Sequence, residues 1–504
     1  METTRWPGAS GHTATKRRGQ GDRFTSVAPS VPPGPPAAPL LGWQATALRL
    51  MQDPLLHLLR LRQRYGDIVS LGREVGSPVC VFGPEYNRQV LTDTGLFYCL
   101  DVTDSTAPLR MPRNTAAARL LTGLTGMNGA RHKQHRRLLL PAFHRERVEL
   151  LADTIAACAE RHVERWRVGQ QIDVRREMVE LSLAVASEGL LGLDPSDQEQ
   201  QVRQLLALWS KYGLSPLVML FPWSLPGLPY RRFLALADRL ESALQDVIEK
   251  KREGGLEGHD ALTMLLQARD DADQPLGDDV LLGHLTTLFT AGHETTASAL
   301  TWILFLLSQH PHILSDLYEE IDAGGQGARS RLEQIRQRPL MTNVIQEGLR
   351  MFPPGMWLVR TSTAPFTFGP YAFPAGTHIV ISPAVTHYQA EIYERPHAFR
   401  PQRWETIAPS PYEYLPFGNG PRRCLGATFA MLELQIVLPI ILQRFHPVVP
   451  PNARVDRGGS VLSFPKGMLP MVLQPRERAQ LWPAQRVRGN IHDLVELPER
   501  GSTT

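Results

Sequence analysis

The chain has 504 residues, 42% of them hydrophobic and 21% charged, which is ample to bury a large core; its 54 Lys and Arg against 50 Asp and Glu leave a formal net charge of +4, too small an excess to argue for a nucleic-acid partner. The four cysteines, Cys80, Cys99, Cys158 and Cys424, form no C-x-x-C pair in a chain this long, so a disulfide framework is not expected and a reducing, cytoplasmic compartment fits. No run of 18 or more apolar residues occurs, so no membrane span is expected and the chain reads as soluble.

Residues 1–34 read as a flexible tail rich in Gly, Ser, Thr and Arg; an organelle transit peptide is the alternative, since acids are few there (Glu2, Asp22). Val31 to Pro39 is proline-rich and can be neither helix nor central strand, so the folded body is expected over 35–475. Leucines at helical spacing follow in Leu55 to Tyr65, then short strands at Ile68 to Leu71 and Val79 to Phe82. A basic helix runs from His132 to Leu140 and stops at Pro141; further helices are expected over 147–168, 174–191 and 230–252. Between the last two lies an apolar segment, Leu217 to Leu228, broken by Pro222 and Pro226. The longest helical pattern, Asp278 to His310, stops at Pro311, and Ile313 to Ala323 and Met341 to Phe352 follow. Residues 366–382 hold two strand-like runs divided at 373–376, and Cys424 to Phe445 reads as a strongly apolar helix. Residues 476–504 turn polar and look like a peripheral C-terminal tail. With no internal repeat and no dividing linker, the expectation is a mainly α protein with a minor β portion: one large helical domain plus small β-sheets.

Phe417 to Gly426 (F-G-N-G-P-R-R-C-L-G) reads as a tight loop into a helix. Gly418 and Gly420 permit backbone angles that aim N–H groups at one point near the sulfur, and those donors, with a helix N-terminus beginning at Cys424, would favour a thiolate. Gly426 leaves room for a flat, bulky group, Phe417 can shield the sulfur, and Arg422 offers a fixed cation to a carboxylate. The plain alternative is a structural cysteine at a glycine-rich helix start.

The long helix is apolar on most faces, so the polar stretch Thr290-Ala-Gly-His-Glu-Thr-Thr296 inside it needs a reason. Gly292 weakens the helix, and the Thr295 hydroxyl can bond back to the Ala291 carbonyl; both favour a bulge or kink, with Thr295 and Glu294 as proton relays beside it. A kink carrying a solvent-facing Glu is the alternative. His293 reads as a packed or hydrogen-bonded histidine rather than a metal ligand.

Phe417, Gly420, Arg422, Cys424 and Gly426 match F-x-x-G-x-R-x-C-x-G, and with it the chain resembles the cytochrome P450 family. Ala291, Gly292, Glu294 and Thr295 match that family's A-G-x-[ED]-T element; Glu347 and Arg350 match its E-x-x-R pair. Arg403, within Phe399-Arg-Pro-Gln-Arg-Trp404, is the third member of that structural ion cluster, in a segment that departs from the usual form at Gln402 and Trp404. His132 and Arg136 match its W/H-x-x-x-R pattern. The four motifs stand in the family's order across roughly residues 35–475.

The resemblance implies a haem-thiolate monooxygenase that inserts one oxygen atom of O2 into an organic substrate. Its cofactor would be haem b, with Cys424 as axial ligand to the iron. Arg422, His132, Arg136 and Arg360 would meet the haem propionates. Thr295 would organise oxygen and Glu294 gate protons. Leu288, Ala291, Gly355 and Trp357 would face the space above the iron, with Trp357 narrowing it, and 217–228 lies where the family has its mobile entrance lid. A lipophilic substrate (fatty acid, terpenoid or polyketide-like) is expected. No flavin or dinucleotide fingerprint stands out and no room for a reductase domain follows Gln474, so a separate ferredoxin- or flavodoxin-type donor with its own reductase is expected, meeting a positive surface at Arg137 and Arg423. The other readings are a haem-thiolate enzyme using peroxide or rearranging its substrate, a haem sensor or carrier, and a haem-free scaffold.

Overall fold

A computed structural model describes residues 31–36, 50, 52–99, 115–193, 197–213, 215, 218, 223–270, 273–325, 330–458, 461–476 and 483–498. Its centre is the helix Asp278–Gln309, 32 residues long. From Thr296 onward every residue of that helix is buried, as its all-round apolar sequence requires. It packs most closely along the helix Val174–Val185 and the π turn Ala186–Leu190 that continues it. Gly292 sits at this crossing, where a Cβ would stand 3.0 Å from Leu190 Cδ1. The helix runs as one element through this stretch, and Gly292 serves the close approach of two helices. Thr295 and Thr296 still bond back to Ala291 O (2.6 Å) and Gly292 O (3.1 Å), within an intact helix.

The helix Ala427–Arg444 is the one described helix long and apolar enough to cross a membrane, yet its residues from Leu432 to Leu442 are almost all buried in the core. A five-stranded sheet is ordered Ile68–Ser70, Val79–Val81, His378–Ile381, Leu358–Ser362, Phe97–Tyr98. Val69 pairs with Cys80, Cys80 with Val380 and Arg360 with Ile379, and only the Val79–Val81 and His378–Ile381 strands run parallel. This sheet carries Arg360, and its edge strand ends one residue before Cys99. A three-stranded sheet joins Gln171–Asp173, Pro470–Pro475 and Phe445–Val448, and so ties the far end of the Ala427–Arg444 helix to the base of the Val174–Val185 helix. Over 366–382 there are three strands, Phe366–Phe368, Tyr371–Phe373 and His378–Ile381; a turn at Gly369 (φ +52°) divides the first run. Helices over Pro84–Thr92, Ala116–Leu121, Asp197–Gly213 and Ala261–Gln267 add to those expected.

Both presumed tails need correction where they are described. Residues 31–36 lie against the first strand: the Pro33 carbonyl accepts from Ser70 N–H at 3.0 Å, and Pro32 is buried. At the other end Val487, Ile491, Leu494 and Val495 are buried, and the segment bonds to 452–455 and to His397. A few apolar residues spaced three and four apart anchor it, despite polar surroundings. Residues 1–30 lie outside the described residues, as does most of 217–222.

Candidate cofactor site

The cysteine loop closes on itself: Cys424 N–H donates to Phe417 O at 2.9 Å. Two glycines make the turn possible. Gly418 and Gly420 have φ of +62° and +71°, and a Cβ on Gly420 would stand 2.4 Å from Leu91 O. The following helix begins at Ala427, not at Cys424, so the cysteine stands three residues ahead of it in the open part of the loop. Its sulfur accepts from the Gly426 N–H. That bond, with the positive charges of Arg136 and Arg423, pulls the thiol pKa down against a larger upward push from the surrounding protein. Cys424 is nonetheless exposed to the site in front of it. A Cβ on Gly426 would meet nothing nearer than the Phe143 ring at 3.9 Å, so the bed beside the sulfur is open to a flat group. Phe417 is half-buried and, with Arg423, Ala427 and Met431, lines a groove of about 370 Å³.

Beside the loop stand basic side chains. His132 and Arg136 come from the helix Gly129–Leu139, Arg360 from the central sheet and Arg422 from the loop itself. Burial first, then the charges of Arg422, Arg136 and Arg360, push the His132 pKa down to about 4. Arg422 is likewise pulled down by burial and by Arg360 and Arg136, and its Nε is buried without a partner. It donates to Met127 O and, at 2.7 Å, to Asn128 Oδ1; Arg360 donates to Val359 O at 2.8 Å. Arg136 and Arg360 act on both His132 and Arg422 without an opposing carboxylate among the described residues, a set suited to an anionic ligand. An accessible cysteine, an open glycine bed and a guanidinium with one unpaired N–H together fit an iron porphyrin with its carboxylates.

Glu347, Arg350 and Arg403 do come together, fully buried. Arg350 grips both Glu347 oxygens at 2.9 Å and Arg403 donates to Oε1 at 3.0 Å. Trp404, where the sequence departs from the usual form, donates its indole N–H to Glu347 Oε2 at 3.0 Å, so the departure supplies one more donor. His387, which sequence reading missed, links this cluster to the cysteine loop. Its Nδ1 donates to Arg350 O (3.1 Å) and its Nε2 accepts from Leu415 N–H (2.9 Å). Burial, with Arg350 beside it, pushes its pKa to about 3, so it stays neutral and keeps both bonds.

On the long helix, Ala291 is exposed although it lies mid-helix, Glu294 and Thr295 are half-buried, and Leu288 is buried. Burial raises the Glu294 pKa to about 7, with Arg175 pulling the other way. His293 is buried and its Nδ1 bonds to Phe289 O at 2.8 Å, a packed histidine as expected. A Cβ on Gly355 would meet nothing within 4 Å, and Gly355 bridges to Leu462 of a hairpin that sequence reading did not resolve. Trp357 is half-buried against the main core. A cavity of about 470 Å³ between Leu191, Leu205 and Lys250 shares no lining residue with any of these elements.

A family model described as cytochrome P450 matches residues 32–470. The chain belongs to the cytochrome P450 family. Among curated relatives this P450 is similar to cyclooctatin synthase of Streptomyces melanosporofaciens, at 30% identity over 88% of this chain and 95% of that protein. It is similar also to pentalenene oxygenase of Streptomyces avermitilis, at 31% over 84% and 92%. Among solved structures, retinoic acid bound cyanobacterial CYP120A1 superposes with a TM-score of 0.76 at 24% identity, covering 89% of this chain and all of that one, and so shares the fold. A further relative, cyclooctat-9-en-7-ol 5-monooxygenase of Streptomyces melanosporofaciens, is 28% identical over 88% of this chain and 95% of that protein; the family uses haem, and this chain is an oxidoreductase of the monooxygenase kind.

Proposed function

We propose that this P450 inserts one oxygen atom of O2 into a lipophilic, terpenoid-type substrate, with Cys424 as the thiolate on the iron of haem b. Electrons come from a separate ferredoxin- or flavodoxin-type donor with its reductase. The observation that carries this reading is one loop presenting both an accessible cysteine and Arg422, whose guanidinium joins His132, Arg136 and Arg360. A flat, iron-bearing dianion suits both at once, and metal coordination holds a thiol deprotonated. When bound there, haem supplies the iron at which oxygen is activated. Thr295 donates its hydroxyl hydrogen to Ala291 O, which leaves its oxygen able to accept a hydrogen bond from a bound group. Glu294, with a pKa of about 7, holds and releases a proton near neutrality, as a relay acid requires.

The terpenoid class is supported by two relatives whose names refer to cyclooctatin and pentalenene, and by the apolar Leu288, Ala291 and Trp357 with the open flank of Gly355. The exposed Arg137 and Arg423 suit an acidic donor protein. Four unpaired cysteines and a core position for the most apolar helix support a cytoplasmic location. The test is a titration of the haem-loaded protein, followed at the Soret band, with cyclic terpene hydrocarbons and with small polar compounds. Turnover under 18O2 with a ferredoxin and its reductase completes it. Terpenes shift the band and gain one labelled oxygen; a shift with small polar compounds alone contradicts the substrate class.

A further inference from the structure

Asn128 immediately precedes the helix that carries His132 and Arg136, at a position where an asparagine side chain ordinarily caps the helix N-terminus. Here it makes no such cap. Its Oδ1 accepts from Cys99 N–H at 2.9 Å and from Arg422 at 2.7 Å, while its Nδ2 donates to Cys99 O at 3.0 Å. The orientation of the amide is fixed by this set: flipped, it would turn its NH2 toward two donors and its oxygen toward a carbonyl. One side chain therefore joins the edge of the central sheet, the start of the His132 helix and the loop two residues before Cys424. The turn that lets it do so depends on Gly129, with φ of +56° and a Cβ position 3.3 Å from the Tyr98 hydroxyl.

Arg422 needs such a hold. Its charged neighbours are Arg136 and Arg360, which repel it, and the bonds it makes go to Met127 O and Asn128 Oδ1 alone among the described residues. Resting on the haem-binding reading above, we propose that Asn128 is a positioning residue, whose side-chain oxygen aims the Arg422 guanidinium at the anionic edge of the bound haem. Without it the arginine keeps its charge and its Met127 contact but loses its fixed direction.

The test uses the haem-loaded full chain and a double-mutant cycle. Asn128→Ala, Arg422→Lys and the double variant are compared for the rate of haem transfer to excess apomyoglobin and for the haem reduction potential. Asn128→Ala should release haem about 10-fold faster, in the range typical of a lost partner behind a ligand contact. Its potential should fall, since an aligned cation favours the reduced haem. Its reduced carbon monoxide spectrum should stay unchanged. Because Asn128 acts through Arg422, the double variant should release haem no faster than the quicker single variant. If the two effects multiply, Asn128 acts through Cys99 instead and the inference is overturned. It is overturned alone if wild-type protein holds haem and Asn128→Ala releases it at the same rate; a wild-type chain that takes up no haem overturns both this and the reading beneath it.

Discussion

Two charge clusters stand on either side of the cysteine loop, and they are built on opposite plans. In the first, Glu347 receives Arg350, Arg403, the Trp404 indole and the Arg400 backbone N–H, and the remaining guanidinium donors end on backbone carbonyls such as His387 O and Glu394 O. In the second, Arg136 and Arg360 oppose Arg422, burial and the three charges together hold His132 neutral, and an Arg422 nitrogen stays unpaired. A buried cluster that closes its own hydrogen bonds is a strut. One left with excess charge and an orphaned donor is a binding surface, because only a ligand completes it. Loop and strut are joined through His387, so the strut fixes where the binding surface stands.

Breaking the strut has the largest expected effect. Arg350→Ala strands Glu347, wholly inaccessible to water, without its bidentate partner, and costs about 3–5 kcal/mol of folding stability. In urea denaturation the midpoint should collapse whether or not haem is present. Glu294 offers an intermediate case, a half-buried acid with a neutral His293 at 4.0 Å and the opposing pull of Arg175. Glu294→Gln should slow coupled turnover about 100-fold. The native state keeps this proton up to a pKa of about 7, while the unfolded chain loses it near 4.5. Stability is therefore fully present below about 4.5 and falls as pH rises toward 7; turnover that needs the protonated acid also falls as pH rises through 7. Both pH limbs should vanish in the Gln variant, as read by thermal melts and pH–rate profiles.

Arg422→Ala tests the binding surface directly. The chain's own unfolding free energy should change by less than about 1 kcal/mol, since a repelled cation is removed, while haem leaves about 10–100-fold faster. An Arg422→Ala protein that unfolds as readily as Arg350→Ala would erase the distinction between the clusters. The smallest effect is expected for Trp404→Phe, which removes one of several donors to Glu347 and should cost about 1 kcal/mol in the same denaturation assay.

What the sequence made legible was local. The loop around Cys424, the Glu347–Arg350 pair and the Thr295 back-bond each lie within a few residues, where spacing alone sets which side chains can meet. What it hid was contact at a distance. His387 reaches Arg350 across 37 positions and Leu415 across 28, and Asn128 reaches Arg422 across 294; none leaves a spacing signal. The packing role of Gly292 was hidden for the same reason: its lack of a side chain makes room for Leu190, which lies outside its own helix. The C-terminal segment was misjudged because four apolar residues suffice to dock a polar stretch.

The most direct measurement is the absorption spectrum of the reduced, carbon monoxide-bound protein, for wild type and for Cys424→Ser. Ligation by the Cys424 thiolate predicts a Soret band far to the red of that given by a histidine-ligated haem, and its loss on substitution. A colourless wild-type protein after haem supplementation, or a red-shifted band that survives Cys424→Ser, would contradict the account.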